Sequence, residues 1–188
     1  NTEFNGKLDT AIAIFNNKYS KRFLHQLVSS QLDMDRLDYL KRDSFFTGVS
    51  EGIVGSDRII KMLHVIDDEL AVESKGIYSI EKFIVARRIM YWQVYLHKTV
   101  LSAENLLIRI LKRAKELAES GEELFATPAF NVFLKGKITR SSFEQDPEIL
   151  NQFAELDDFD VLTSVKVWKH HSDLVLSKLS SFLVDRKL

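Results

Sequence analysis

The sequence predicts a mainly α-helical fold with one long helix and a small β-hairpin. Seven glycines and two prolines in 188 residues leave few positions for tight turns and favour long helices. Helical periodicity holds from about Ile80 to Ala118, the longest such stretch. With 45% hydrophobic residues, the chain is long enough to bury one sizeable core or two small ones.

Three amphipathic segments open the chain. Two short helices are predicted over about residues 8–17 and 21–29. A third is predicted over about 34–46, with Leu37 and Leu40 facing a core. Gly48 follows it and suits the left-handed conformation that commonly ends a helix.

A hairpin and the long helix come next. Gly52 and Gly55 loosen the chain before Asp57, which is expected to cap a short helical turn. Residues 61–66 and 69–74 read as two short strands around Asp67-Asp68, although propensity alone also allows helix in both runs.

The long helix is expected to begin at a Ser79 cap and to stop at Ser120-Gly121, with a break along its length left open. At 1.5 Å per residue it would span on the order of 55 Å. Only an extended interface or an oligomer can cover so much apolar surface, so the sequence favours a homo-oligomer.

The last third of the chain is predicted to be helical after an irregular stretch. Residues 122–147 contain both prolines and show less periodicity. Two helices are expected over about 147–155 and 158–184, and residues 156–160 read as a helix start with acidic residues in the first turn.

Composition limits the functional classes. Twenty-six basic and 27 acidic residues give a net charge of −1, which provides no field to recruit a nucleic-acid polymer or an anionic membrane. The absence of cysteine excludes disulfides, thiolate zinc sites and cysteine nucleophiles, and fits a reducing compartment. No apolar run reaches the roughly 18 residues that span a bilayer. A cytoplasmic protein is expected.

The most informative segment is the run from Gln31 to Asp43, which holds four carboxylates and three cations. Read as a helix, it places four residues on one face: Asp35, Tyr39, Arg42 and Asp43. Aspartate is a poor helix former, so three inside one helix suggest a purpose other than helix stability. The alternative is that Asp33 is an N-cap, Asp35 a favourable first-turn residue and the rest a solvent face.

Two motifs carry a family resemblance. The run from Asp33 to Asp43 resembles the last metal motif of the HD-domain phosphohydrolases, Asp-x-Asp-Lys/Arg-x-Asp-Tyr-x-x-Arg-Asp. It is most similar to the deoxynucleoside triphosphate triphosphohydrolase branch, which combines SAM and HD domains, and to bacterial relatives of that branch. The run from Arg87 to Lys98 resembles the family's substrate-contacting helix with its Tyr-x-His-Lys ending. A weaker third resemblance is that of the tail, from residues 156–160 through 185–188, to the family's C-terminal helical region.

The resemblance implies an HD-domain-like helical bundle. Residues 1–120 would be the C-terminal part of the HD catalytic domain, including the hairpin and the long helix, and residues 121–188 a C-terminal helical region. The family's other metal ligands are a His and a His-Asp pair, but none of the five histidines here is followed by Asp. We therefore expect the C-terminal part of a longer enzyme, inactive without an N-terminal part of the same protein that would supply the catalytic residues.

By resemblance, the aspartate-rich helix supplies a metal ligand and substrate contacts. Asp35 would bind a divalent ion, for which Fe, Mn, Zn and Mg all remain candidates. Arg36 would contact a substrate phosphate, and Tyr39 and Asp43 would lie beside the sugar, with Asp43 accepting from its 3′-hydroxyl. Simpler roles remain open: Arg36 paired with Asp33, Tyr39 packed in the core, and Asp43 paired with a neighbouring cation.

The long helix is predicted to present a second set of contacts. Arg87, Tyr91, Tyr95 and Lys98 fall within about 80° of one another, so one face would carry two cations and two phenols. By resemblance Arg87 would bind a phosphate and Tyr95 would line the sugar pocket, and His97 belongs to the same motif. The alternative is an amphipathic helix whose charges are incidental.

The resemblance thus implies a metal-dependent phosphohydrolase that cleaves a deoxynucleotide substrate, a dNTP, to deoxynucleoside and triphosphate. Two alternatives remain. One is a catalytically silent helical module for oligomerisation or nucleotide sensing. The other is an HD phosphohydrolase that acts on a different nucleotide.

Overall fold

The structure, a computed structural model, describes residues 4–187. This part of the chain forms two compact units, residues 4–97 and residues 98–187. Helices dominate both units, and the only strands in the described residues form a hairpin in the first, so the predicted mainly α fold with a small hairpin is confirmed. No helix within residues 4–187 is both long and apolar enough to cross a membrane.

The first unit consists of short helices, the hairpin and two longer helices. Its α-helices are α1 (Asp9–Phe15), α2 (Arg22–Val28), α3 (Met34–Thr47), α4 (Ser56–Lys61) and α5 (Ile77–Met90). Strands β1 (Leu63–Ile66) and β2 (Glu69–Val72) pair antiparallel, with Leu63 opposite Val72. Asp67 and Asp68 form the turn with φ of 49° and 61°, the positive values that a two-residue hairpin loop requires.

The core of the first unit lies between α3, α4 and α5. Leu40, Ile59 and Met90 are fully buried, and Leu37 and Phe83 pack with them. Gly52 lies against this core in a 3₁₀ turn, where an added Cβ would be 2.7 Å from Met90 Sδ. The predicted burial of Leu37 and Leu40 is confirmed.

Three predicted helix ends can be compared with the structure. Gly48 ends α3 with φ of 72°, as predicted. Ser79 does not cap α5, which begins two residues earlier at Ile77. The reason is that buried Gly76 packs against Met62 and the hairpin, which fixes the start of the helix there. Asp57 lies in the first turn of α4 rather than at its cap, a position held by Gly55.

The predicted long helix is divided. After α5 the backbone runs through a π-helical turn, Tyr91–Tyr95, and leaves the helical conformation at Leu96. Helix α6 (Lys98–Glu119) then opens the second unit and ends before Gly121, whose φ is 92°. The two compact units meet in sequence at this break, whereas the predicted domain division at residue 120 refers to the extent of a family domain and stays a prediction.

The second unit is a helical bundle. Its remaining helices are α7 (Pro128–Lys135), α8 (Arg140–Gln145), α9 (Pro147–Glu155), α10 (Asp158–Trp168) and α11 (Leu174–Val184). Ile110, Val165, Trp168 and Leu176 form the centre of its core, each at most 1% exposed. Both prolines occupy the first position of a helix, where their missing N–H costs nothing.

One helix predicted in the second unit is two helices in the structure. The stretch 158–184 breaks at residues 169–173, so the prediction of a continuous helix is wrong. Asp173 starts α11 as its N-cap by accepting from the backbone N–H of Leu176 at 2.8 Å. The acidic start of α10 is confirmed, because Asp157 and Asp160 form a capping box there.

Candidate functional site

A cavity of about 370 Å³ in the first unit gathers most of the predicted site residues. It lies between α3 and the π-helical turn after α5, and its volume is within the range of small-molecule sites. Six of the nine predicted residues line it: Asp35, Arg36, Tyr39, Asp43, Tyr91 and Tyr95. We call this the α3 cavity.

Helix α3 supplies one wall of the cavity because its polar residues and its buried apolar residues lie on different faces. Asp33 caps the helix by accepting from the backbone N–H of Arg36 at 2.8 Å. Asp35, Tyr39 and Asp43 follow at four-residue intervals, so the polar wall is about 12 Å long at 1.5 Å per residue. Leu37 lies on the opposite, buried side.

Arg42 was predicted on the same helical face, but its side chain does not line the α3 cavity. It lines a neighbouring cavity and pairs with Asp38, with Nη1 3.2 Å from Oδ2. The Arg42 Nε is 3.8 Å from Asp43 Oδ1. The alternative role of Asp43, an ion pair with a neighbouring cation, is therefore present only as a long contact.

Three tyrosines and one carboxylate form the inner part of the cavity. The Tyr95 hydroxyl donates to Asp43 Oδ2 at 2.7 Å. The ring of Tyr95 meets the rings of Tyr39 and Tyr91 edge-on, at centroid distances of 5.9 and 5.2 Å. The π-helical turn places Tyr91 and Tyr95 together, and such turns are frequent at functional sites.

The electrostatics keep these phenols protonated. Burial raises the pKa of Tyr95 above its usual value, and the hydrogen bond to Asp43 raises it further. Burial, with a smaller contribution from neighbouring Tyr91, also raises the pKa of Tyr39. Both hydroxyl groups are therefore hydrogen-bond donors at neutral pH.

Arg36 is fixed at the edge of the cavity. Its Nη1 donates to the Asp33 carboxylate and to the Ser30 carbonyl, so the predicted alternative pairing with Asp33 is present. A guanidinium has five N–H donors in a planar fork, and these two contacts use only one of its three nitrogens. Arg36 can therefore be held by Asp33 and still donate into the cavity that it lines.

Arg87 lies next to the cavity rather than in its wall. Its Nη1 donates to Gln31 Oε1 at 3.0 Å, and its guanidinium carbon is 5.8 Å from the centre of the Tyr91 ring. Sequence reasoning gave Gln31 no role. The two residues are 56 positions apart, and no local pattern joins them.

The last two of the predicted site residues, His97 and Lys98, follow the break after α5. His97 is exposed, and Lys98 begins α6 in the second unit. The prediction that Lys98 shares one helical face with Arg87, Tyr91 and Tyr95 is wrong, because regular helix does not continue through Leu96 and His97. Substrate contacts by His97 and Lys98 stay predictions.

The predicted metal ligand is on the surface of the cavity. Asp35 is exposed on its wall. Within residues 4–187, no three His, Asp or Glu side chains are close enough together to hold a metal ion. One carboxylate does not make a metal site, so the described residues do not fit a metal ion by themselves.

A larger cavity of about 710 Å³ lies on the adjacent face of α3. Its lining includes Asp38, Lys41, Arg42 and Phe45. The sequence analysis assigned no ligand contact to any of these residues. The Phe45 ring is 80% exposed, and Phe45, Gly48 and Ile53 give the lining no polar side chain, whereas every residue that lines the α3 cavity has one. We therefore place the candidate site in the smaller cavity.

Comparisons with known proteins show what this chain is similar to. Residues 54–127 match the family model of an HD-associated region. A crystal structure of a phosphohydrolase from Bacteroides thetaiotaomicron superposes with a TM-score of 0.96 and 60% identity, covering 100% of this chain and 46% of that one.

Two curated proteins are similar to most of this chain. The uncharacterized protein YwfO of Bacillus subtilis is 34% identical over 90% of this chain and 37% of its own length. A Dictyostelium discoideum protein named deoxynucleoside triphosphate triphosphohydrolase SAMHD1 homolog is 26% identical over 69% of this chain and 26% of its own length. This chain spans less than half the length of each of these three proteins. Part of the chain is thus similar to an HD-associated region, and the whole chain is similar to a protein named a phosphohydrolase.

Proposed function

We propose that this chain supplies the nucleotide-binding part of the active site of a dNTP triphosphohydrolase, which releases deoxynucleoside and triphosphate. The observation that carries the proposal is the convergence of six separately predicted residues on the α3 cavity. The name of the Dictyostelium relative supports this substrate class.

The phosphate end of the substrate would lie at the start of α3. Arg36 is held by Asp33 and Ser30, so its remaining N–H groups are preorganised to donate to phosphate oxygens. Arg87, held by Gln31 beside Tyr91, would bind a second phosphate. The motif residues His97 and Lys98 are further phosphate contacts in this proposal.

The sugar would lie further along the same wall. Asp43 already accepts from Tyr95 through Oδ2, and its second oxygen can accept a sugar hydroxyl. Tyr39 and Tyr91 pack around the Tyr95 ring and would border the sugar with their ring edges. Burial keeps the Tyr39 hydroxyl protonated, so it can donate to a substrate oxygen. The Tyr95 hydroxyl already donates its one proton to Asp43, so it can only accept from the substrate.

Asp35 is proposed as one ligand of a divalent ion, Fe, Mn, Zn or Mg. The remaining ligands would come from residues other than those described, in an N-terminal part of the same protein. We further propose that the enzyme acts in the cytoplasm as a homo-oligomer.

The proposal is tested with the complete gene product and an Asp35→Asn variant. Each is incubated with each of the four dNTPs and a divalent ion, and deoxynucleoside and triphosphate are quantified. We expect hydrolysis by the parent protein and its loss in Asp35→Asn, together with a lower content of bound metal. The matched control is Asp38→Asn, on the same helix but outside the α3 cavity, which should retain activity.

Two results would contradict the proposal. If the parent protein cleaves no dNTP, the chain is not part of such an enzyme, and turnover of other nucleotides in the same assay would favour a different HD phosphohydrolase. If Asp35→Asn and Asp38→Asn retain equal activity, the chemistry lies elsewhere. Thermal melting of both variants shows whether each is folded.

A further inference from the structure

The loop between α2 and α3 contacts both arginines at the phosphate end of the α3 cavity. Arg36 Nη1 donates to the Ser30 carbonyl and to the Asp33 carboxylate. Between these two residues, Gln31 accepts from Arg87 Nη1 through Oε1 at 3.0 Å. One short loop therefore determines where the two guanidinium groups lie relative to each other.

Hydrogen bonds restrain this loop. The backbone N–H of Ser30 donates to Asp33 Oδ2 at 3.2 Å, and that of Leu32 donates to Ser30 Oγ at 3.2 Å. On α2, Gln26 Oε1 accepts from the backbone N–H of Leu70 in the hairpin at 2.7 Å. Asp33 is buried and caps α3. Because these contacts restrain the loop, a side chain that it carries can hold a partner at a defined position.

Gln31 holds Arg87 without neutralising its charge. In the described part of the chain, the Arg87 guanidinium contacts a neutral amide and the Tyr91 ring, and no carboxylate lies within ion-pair distance of it. Arg113 in the second unit is the opposite case, because two carboxylates pair with it. A cation that keeps its charge attracts a phosphate more strongly than one that an internal carboxylate has already neutralised.

The two cations act on the same part of the cavity. Burial, and then the neighbouring Tyr91, raise the pKa of Tyr39, whereas the Arg87 and Arg36 guanidinium groups both lower it. Both charges are therefore close enough to the Tyr39 hydroxyl to act on it, although Arg87 does not line the cavity. A ligand beside this hydroxyl that carries two or more phosphates is within electrostatic reach of both cations.

We propose that Gln31 is a positioning residue that holds Arg87 for the second phosphate and so sets a preference for nucleoside polyphosphates over monophosphates. This inference rests on the proposed function, in which Arg36 binds one phosphate and Arg87 binds another. A monophosphate needs only Arg36, whereas a triphosphate also uses Arg87. Without Gln31, the Arg87 side chain must be ordered each time a triphosphate binds, and this ordering lowers the affinity.

The test compares affinities for deoxynucleoside triphosphates and monophosphates. They are measured by calorimetry on the complete gene product without added divalent ion, so that hydrolysis does not compete. Gln31→Met keeps a side chain of similar length but removes the acceptor, and should weaken triphosphate binding about threefold to tenfold while monophosphate binding stays unchanged. Gln31→Glu keeps an acceptor but neutralises Arg87, so triphosphate binding should fall in this variant too, which loss of a merely structural contact would not produce.

A double variant shows whether Gln31 acts through Arg87. Gln31→Met/Arg87→Met should bind triphosphate as Arg87→Met does alone, because the partner of Gln31 is already absent. Gln152→Met on α9 is the matched control. Its amide donates to Glu148 Oε1 at 3.1 Å, and its loss should leave nucleotide binding unchanged. Melting curves show whether each variant is folded.

Several results would overturn this inference alone. Gln31 does not position Arg87 if Gln31→Met binds triphosphate as the parent does, or if it loses monophosphate and triphosphate binding equally. A further loss from Gln31→Met in the Arg87→Met background would show that Gln31 acts by another route. Full triphosphate binding in Gln31→Glu would contradict the need for a neutral partner. A parent protein that binds no dNTP contradicts the proposed function, and this inference with it.

Discussion

Two sets of polar side chains, one in each unit, differ in how many of their hydrogen-bond donors and acceptors are used within the fold. In the second unit, polar groups join elements to one another: Arg113 on α6 binds Asp173 at the start of α11 through two hydrogen bonds, of 3.2 and 2.6 Å. Trp168 Nε1 likewise donates to the Phe125 carbonyl at 2.9 Å. In the first unit, Asp43, Tyr91 and Arg36 converge on a cavity and retain unused hydrogen-bonding capacity.

The difference shows where binding is possible. A side chain whose donors and acceptors are all matched within the fold can stabilise the fold but cannot recognise a ligand without losing a contact. The tyrosines and the Asp43 carboxylate of the α3 cavity hold one another in place while still facing open volume. Stability changes should therefore be largest in the second unit, and binding changes largest in the first.

The largest effect is expected for Trp168→Ala in the second unit. The Trp168 residue is 1% exposed, and its ring packs near Phe130. The substitution leaves a cavity in the core and removes the hydrogen bond to the Phe125 carbonyl. The free energy of unfolding should fall by about 3–5 kcal/mol, measured by denaturant titration. Phe159→Ala on the same helix removes a ring that is 77% exposed, and should change little. Equal losses in the two variants would contradict the assigned core.

The next largest loss of stability is expected for Gly52→Ala, which tests the packing of the first unit's core. In Gly52→Ala the new Cβ would be 2.7 Å from Met90 Sδ and 2.9 Å from Ser44 Cβ, so the core must shift. We expect a loss of about 1–3 kcal/mol in the free energy of unfolding. Gly55→Ala is the matched control, since its nearest heavy atom is Arg58 Cβ at 4.0 Å. A stable Gly52→Ala protein would show that this contact is not tight.

Acid should weaken the second unit through Asp173. The Arg113 guanidinium, and then the backbone N–H of Leu176, lower the pKa of the Asp173 carboxyl to about 2. A lowered folded-state pKa contributes stability above the ordinary value of about 3.9, and that stability is lost as pH falls toward 2. Asparagine can still cap the helix but loses the ion pair, so Asp173→Asn should lower the free energy of unfolding at neutral pH and flatten the stability profile between these values. An unchanged profile in Asp173→Asn would contradict this role.

The smallest stability change is expected for Tyr95→Phe in the first unit. Loss of the hydrogen bond to Asp43 should cost about 0.5–1.5 kcal/mol, because Asp43 remains reachable by water. The raised pKa values of Tyr39 and Tyr95 predict that both phenols stay protonated above pH of about 10, where free tyrosine ionises. Stability contributed by these protonated phenols is present below that pH and is lost as pH rises above it.

Ultraviolet absorbance during an alkaline titration measures this effect. The chain has five tyrosines, and Tyr95→Phe should remove one late-ionising phenol while the early fraction of the titration stays unchanged. If the early fraction shrinks instead, Tyr95 is exposed and the burial of the cavity is wrong.

Local pattern was sufficient to predict much of this fold. The start and end of α3, the hairpin and its turn, and the acidic start of α10 follow from caps, alternation and glycine. The position of the break at Leu96 and the break at residues 169–173 do not follow from these patterns. Contacts distant in sequence contribute to the second break. The N-cap Asp173 is an example, since its carboxylate is bound by Arg113, which lies 60 positions away.

The grouping of site residues could be predicted where the residues lie on a single helix. Asp35, Tyr39 and Asp43 share a face by helical phase alone, and a π-helical turn brings Tyr91 and Tyr95 to them. Arg42 does not join them in the cavity lining, and its long side chain pairs with Asp38 instead. Lys98 was misplaced because helical phase was extended through the break after Tyr95. The contact of Gln31 with Arg87 has no signal in sequence.

The central claim is that one face of α3, and not its neighbour, binds the nucleotide. Affinity for each dNTP, measured by calorimetry on the complete gene product, compares Arg36→Met with Arg42→Met. Arg36 lines the α3 cavity, whereas Arg42 lines the cavity beside it, and melting curves check that both variants are folded. The account predicts at least about tenfold weaker binding in Arg36→Met, as expected for loss of a charge-assisted hydrogen bond, and little change in Arg42→Met. Equal losses, or a loss confined to Arg42→Met, would contradict it.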